Sequence, residues 1–145
     1  MKELKTEIII NAPRAAVWQV LTQFSAYPAW NPFIVAIQGE PLAGAVLQTT
    51  MVQKGKKHRF TPVITQVKAG EQLEWLGKLP LGMFKGNHYF YLEPLSATQT
   101  RLQHGERFSG WLSKFILGQI GEDTLQGFRQ MNEALKTRAE ARVTA

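Results

Sequence analysis

No cysteine occurs among the 145 residues. Disulfides, thiolate metal sites and cysteine nucleophiles are excluded together, and the absence fits a reducing compartment. Long apolar runs are missing as well: none approaches the roughly 20 residues needed to cross a bilayer. The opening MKELKTEIIINAP holds only a short apolar run broken by charge. It does not read as a signal peptide, so a cytoplasmic protein is expected. Also absent are GxSxG, a Walker loop, GxGxxG after a strand, and HExxH. No cofactor and no metal are expected on that account. Acidic residues are scarce, 11 against 17 Lys and Arg, which leaves a net charge of +6. Such a balance suits nucleic acid, an anionic membrane surface or an anionic ligand. Nucleic-acid binding would need exposed aromatics interleaved with the basic residues. The aromatics here fall at core-type positions, so no nucleic acid is expected, while a transient anionic membrane surface stays open as a partner. The dense basic run is Lys54, Lys56, Lys57, His58 and Arg59, and its function is not legible from composition.

What is present is a hydrophobic fraction of 44% with 19% charged residues. That describes a single domain over residues 1–145 with a core of its own. The last third organises the rest. From Trp111 to about Arg138, Leu112, Phe115, Ile116, Ile120, Leu125, Phe128, Met131 and Leu135 recur at helical spacing. The stripe is not straight: on a helical wheel the first three centre on a different side from the last three. Gly118, Gly121 and Gly127 lie between the two groups, and each interior glycine costs about 1 kcal/mol relative to alanine. They predict a bend, a close backbone approach or a segment that moves, or else an ordinary core helix.

Ahead of that helix the chain reads as strand, two short helices, then strands. Leu4 to Ile10 is β-rich, and Pro13 suits a helix start. Ala16, Val17, Val20, Leu21 and Phe24 form that helix's apolar face, and SAYPAWNPF is a second short helical piece. Strands follow at Phe33–Gln38, Ala45–Gln53, Arg59–Lys68, Gln72–Lys78, Gly86–Glu93 and Thr98–Ser109. Turns fall at 39–44, 54–58, 69–71 and 94–97, with an apolar loop at 79–84. Pro62 implies an edge or a bulge, and residues 140–145 read as a frayed tail. The sum is an α+β fold: seven antiparallel strands in one curved sheet around a long C-terminal helix, with space between them for a ligand.

The stretch INAPRAAVWQVLTQFSAYPAWNPFI resembles the start of the SRPBCC (START/Bet v 1-like) superfamily, in particular its bacterial polyketide cyclase/dehydrase and lipid-transport branch. FTPVITQVKAGEQLEWLG, FKGNHYFYLEP and TRLQHGERFSGWL extend the resemblance over nearly the whole chain. It implies the helix-grip fold and a hydrophobic cavity between sheet and final helix, usually without a cofactor. On that scaffold the family includes carriers, hormone binders, cyclases and co-chaperone-like modules.

Strand alternation selects the chemistry-bearing side chains. Leu102, His104, Glu106 and Phe108 share one face, His88, Phe90 and Leu92 another, and Leu73, Trp75 and Gly77 a third. With the apolar members inward, two histidines and a glutamate point into the interior. They either tile the core in mutual hydrogen bonds, or orient the polar end of an apolar guest, or supply acid/base catalysis through a desolvated Glu106 with His88 or His104. The expected function is binding, with transport as its extension, of a hydrophobic or amphipathic small molecule touching Trp75, His88, Phe90, His104, Glu106, Phe108, Phe128 and Met131. A cyclase/dehydratase-like enzyme and a protein-interaction module with a structural core are the alternatives. Counting hairpins brings turn 54–58, loop 79–85 and the Gly110 link to one end. The cavity mouth is therefore expected at Met83, Phe84, Trp111, Leu112 and Phe115, beside the basic run.

Overall fold

The computed structural model describes residues 2–144. Strand β1 (Lys2–Ile10) leads into α1 (Arg14–Thr22), a single 3-10 turn and the short α2 (Tyr27–Trp30). Strands β2 (Ile34–Gln38), β3 (Gln48–Gln53), β4 (Lys56–Phe60), β5 (Val63–Lys68), β6 (Gln72–Lys78), β7 (Lys85–Ser96) and β8 (Gln99–Ser109) follow, and α3 (Ser113–Thr144) closes the order. All pairing is antiparallel. Five strands run β1-β8-β7-β6-β5 and three run β2-β3-β4. The two groups meet at the Val46–Val63 bridge. There Leu47 N–H donates to the Pro62 carbonyl (2.8 Å) and Ile64 N–H to the Ala45 carbonyl (2.9 Å). The result is a curved wall with α3 laid across its concave face, the expected helix-grip architecture.

The wall has eight strands rather than seven. The stretch 59–68 breaks at Thr61-Pro62, where proline has no N–H to continue a ladder. Boundaries also move, and β3 starts at Gln48 rather than Ala45. Lys54 and Gly55 have φ of 52° and 71°, the left-handed pair that matches hairpin twist. The turn is therefore two residues long and β4 starts at Lys56. β7 runs through Pro94 to Ser96 by a register shift. Finally, α3 continues through residues expected to fray. The Glu140 carboxylate accepts from Asn11 N–H (2.8 Å) and Lys136 Nζ (2.5 Å), which ties the helix end to the end of β1. Ala145 lies outside the described residues.

The core fills the space between the inner face of the five strands, α1 and the C-terminal half of α3. Val17, Val20 and Leu21 of α1 meet Ile10, Leu73, Phe90, Leu102, Phe128, Met131 and Leu135, all essentially inaccessible. Fully buried Tyr27 donates its hydroxyl to the Leu21 carbonyl (2.6 Å), so its polar atom is satisfied. Gly127 lets α3 approach closely: a Cβ there would collide with the Phe33 ring.

Candidate functional site

The site begins with two missing side chains. Gly77 of β6 and Gly86 of β7 are cross-strand partners. Gly77 follows Leu73 and Trp75, and Gly86 precedes His88 and Phe90, so both glycines face inward. The recess they leave is part of a cavity of about 120 Å³. It opens between the sheet and the first half of α3, where Ile120 and Thr124 complete the wall. Its lining is mainly apolar, with Trp75, Phe84, Phe108 and Met51 prominent, and its polar members are Thr49, Gln53, Lys78, His88, Glu106 and Thr124. Drug-sized pockets are usually about 300–1,000 Å³. At about 120 Å³ this one matches a guest of about one aromatic ring.

The recess also holds the Glu106 carboxyl, which lies where a Gly86 side chain would project. Glu106 Oε1 is 3.5 Å from His88 Nδ1. His88 Nε2 is 2.7 Å from His104 Nε2, and His104 Nδ1 is 2.8 Å from Asn132 Oδ1. Asn132 Nδ2 donates to Thr6 Oγ1 (2.8 Å), whose hydroxyl donates to the His104 carbonyl (2.7 Å). A continuous polar chain therefore runs from the cavity through the core to β1. Aromatic rings enclose it: Trp75 stacks on His88 at 5.0 Å, and Phe90 and Phe128 stack on the two faces of His104 at 4.3 Å each.

This enclosure sets the protonation states. Burial lowers His88 from 6.5 to about 3. His104 is held well below its usual value by burial and by His88 beside it. Burial raises the Glu106 carboxyl from 4.5 to about 8. At neutral pH all three groups are uncharged.

The expected guest-contacting residues divide into two layers. Trp75, His88, Glu106 and Phe108 form cavity wall. Phe90, His104, Phe128 and Met131 lie behind it, each with no exposed surface. At the expected mouth, Phe84 is in the wall with its ring 5.5 Å from Phe108. Leu112 N–H donates to the Met83 carbonyl (2.8 Å) and Trp111 Nε1–H to the Leu81 carbonyl (3.3 Å), so loop 79–84 does meet the start of α3. Trp111 and Phe115 are 70% and 66% exposed. The basic run reaches the same region, with Lys54 Nζ 3.4 Å from Asp123 of α3.

Asn132, Thr6 and Thr49 were not singled out from the sequence. Alternation with Leu4 and Ile8 would have turned Thr6 inward, and Asn132 sits between Phe128, Met131 and Leu135 on the helix face that packs. Thr49 is 4% exposed and its hydroxyl has no hydrogen-bond partner among the described residues, while it lines the cavity. Among those residues no cluster of three or more His, Cys, Asp or Glu has the arrangement of a metal site, and no helix is long and apolar enough to cross a membrane.

The profile of the family described as polyketide cyclase / dehydrase and lipid transport matches residues 1–140. No curated protein matches in sequence. Solved structures match in fold at low identity. The Zhui aromatase/cyclase from Streptomyces sp. R1128 superposes with a TM-score of 0.82 at 14% identity, over 98% of this chain and 95% of that one. A START superfamily protein from Mycobacterium smegmatis gives 0.73 at 19% identity, over 96% and 97%. Norcoclaurine synthase from Thalictrum flavum gives 0.74 at 12% identity, over 98% and 96%.

Proposed function

The chain belongs to the polyketide cyclase / dehydrase and lipid transport family, and from that premise we propose that it binds a small apolar or amphipathic molecule in the cavity between β6–β8 and the first half of α3. The observation that carries this reading is the cavity's polarity: a mainly apolar wall with polar side chains at a few points, among them Glu106, His88 and the unpaired Thr49 hydroxyl, with Gln53, Lys78 and Thr124 also in the lining. Such a wall holds an apolar body by burial and fixes one polar end. Guests larger than about one ring need the cover to move. Gly118 and Gly121, with open space around both, lie in that cover.

The test fills the recess. A Cβ at Gly77 would meet only the Pro62 side chain, at an ordinary contact of 4.0 Å, so Gly77→Val should fold and occupy the cavity. Naphthalene titrated into the protein and followed by NMR should shift the Trp75 and His88 signals in the original chain and not in Gly77→Val. Equal response from both proteins, or none from the original, overturns the proposal.

A second reading is favoured by one observation, the largely buried Glu106 carboxyl beside the His88 imidazole at the cavity wall, where burial raises the carboxyl pKa. Glu106 can then donate a proton to a bound guest as a general acid, as an enzyme of the cyclase or dehydratase kind requires. For that reading, Glu106→Gln abolishes turnover of the substrate while guest affinity stays within a few fold. Unchanged turnover removes it.

A further inference from the structure

The hydrogen-bond direction along the buried chain specifies what the cavity's polar end can receive. Thr6 has one hydroxyl proton, and it is committed to the His104 carbonyl. Thr6 Oγ1 must therefore accept from Asn132 Nδ2, which fixes the amide orientation and turns Asn132 Oδ1 toward His104 Nδ1. An amide oxygen only accepts, so His104 carries its proton on Nδ1. Neutral His104 then presents a lone pair at Nε2, and His88 Nε2, 2.7 Å away, must be the donor. Neutral His88 is left with a lone pair on Nδ1, directed at the Glu106 carboxyl. A carboxylate facing a lone pair is repelled, so the carboxyl keeps its proton. Thr6 and Asn132 thus act at a distance as positioning residues: they set the tautomer of both imidazoles and the charge of the acid. The pKa directions of the three groups agree with this order.

His88 Nδ1 and Glu106 Oε1 are 3.5 Å apart, too far for a good hydrogen bond. At the cavity wall the His88 lone pair needs a donor and the Glu106 carboxyl an acceptor, and only this separation leaves both available to a group that bridges them. We infer that, within the binding function proposed above, the cavity selects guests whose polar end is a hydroxyl, a phenol, enol or alcohol on an apolar body. One hydroxyl oxygen does both jobs: it donates its proton to His88 Nδ1 and accepts from the Glu106 carboxyl. An ether or a ketone accepts and leaves the His88 lone pair unpaired. A carboxylate cannot donate to His88, and a bare hydrocarbon satisfies neither group. Buried polar groups left unpaired make discrimination against a guest lacking the matching group large.

The test has two independent parts. The first uses the protein without a guest: 15N NMR of the histidine rings at pH 7 should show His104 as the Nδ1–H tautomer and His88 as the Nε2–H tautomer. The reverse order, or a doubly protonated His88, overturns the inference whatever the cavity binds. The second part compares 2-naphthol, 2-methoxynaphthalene and naphthalene as probes. 2-Naphthol should bind at least about tenfold tighter than the other two, which is a discrimination of about 1.4 kcal/mol. In Glu106→Leu the preference should fall to within about threefold, while Glu106→Gln, whose amide still donates, should retain most of it and confirms that the protein remains folded. Equal affinity for all three probes in the unsubstituted protein overturns the hydroxyl inference and leaves the binding function standing. Failure of all three to bind removes the binding function, and the hydroxyl inference with it.

Discussion

The two halves of α3 are one helix doing two different jobs. From Thr124 to Ala139, seven residues are buried: Thr124, Gly127, Phe128, Met131, Asn132, Leu135 and Ala139. From Ser113 to Asp123, none is. Gly127 is pressed against the Phe33 ring, whereas Gly118 and Gly121 have nothing within 4 Å of where a Cβ would project. The first half covers the cavity and leaves Phe115 largely in solvent; the second half is core. A single element can therefore seal the polar chain at Asn132 and still leave the cavity end free to adjust, because regions with little burial open at lower cost than the core.

The widest separation between the halves should appear when a phenyl ring is removed from each. Phe128→Ala should cost about 3–5 kcal/mol, since the ring is fully buried against His88, His104 and Phe33. Phe115→Ala, at 66% exposure, should stay within about 0.5 kcal/mol. Urea denaturation of both variants measures this directly. A Phe115 cost of 2 kcal/mol or more, on the scale of a buried side chain, would mean that the first half is packed after all.

That contrast was partly visible in the sequence. The shift of the apolar stripe between Leu112–Phe115–Ile116 and Phe128–Met131–Leu135 is the same division, read on a helical wheel. The fold was legible because element order, alternation and family-like stretches agreed, and the inward placement of His88, His104, Glu106 and Trp75 followed from strand period together with the apolar residues that share each face. The strand count was not, because one proline split a stretch that alternation treats as continuous. Cavity depth was not legible either. Alternation gives the face of a strand but not the layer, so Phe90, His104, Phe128 and Met131 could not be told from wall residues. Asn132 and Thr6 were overlooked because a polar residue on an apolar face looks like noise until its partner, far away in sequence, is known.

The protonation of the site distinguishes its deep end from its cavity end. His88 and His104 have folded pKa values below the unfolded value of 6.5. Their stabilising effect is complete above that value and is lost as pH falls, through about 3 for His88. Glu106 has the opposite sign, rising from 4.5 to about 8. Its stabilising effect is complete below about 4.5 and is lost as pH rises through about 8. Between about 6.5 and 8 only Glu106 contributes a slope, a fall of at most about 1.4 kcal/mol per pH unit. Its side chain keeps 17% exposure, so water softens that limit. Denaturation at a series of pH values should therefore show a maximum near neutrality from these groups. Glu106→Gln should flatten the alkaline side, steepen the rise between about 4.5 and 6.5, and leave the range below about 4.5 unchanged. An identical alkaline slope in the variant would assign that slope to other groups.

Smaller effects of opposite sign are expected at the glycines. Gly127→Ala should destabilise by about 1–3 kcal/mol, because Phe33 must move away from a packed contact. Gly118→Ala and Gly121→Ala should each stabilise by about 1 kcal/mol, since helix propensity rises with no collision. If the first half moves to admit guests, the double variant Gly118→Ala with Gly121→Ala should also slow exchange of naphthalene in NMR line shapes. Equal exchange rates would place the moving part elsewhere, in loop 79–84.

The least effect should come from the tether that holds the first half to the sheet. Lys54 meets Asp123 at 3.4 Å with the two side chains 63% and 40% exposed, and Gln53 Nε2 donates to Thr124 Oγ1 at 2.5 Å just inside it. The ion pair sits in water, where attraction is weak and holding two mobile side chains together opposes it. A double-mutant cycle with Lys54→Gln and Asp123→Asn should give a coupling below about 1 kcal/mol. It should vanish in 1 M salt, where the screening length is about 3 Å. The neutral Gln53–Thr124 bond should survive the salt, so the boundary between the halves lies at Thr124 rather than at Asp123. A coupling near 2 kcal/mol that persists in salt would reverse that placement: an exposed pair cannot supply it, and the cover would then be anchored as firmly as the core half behind it.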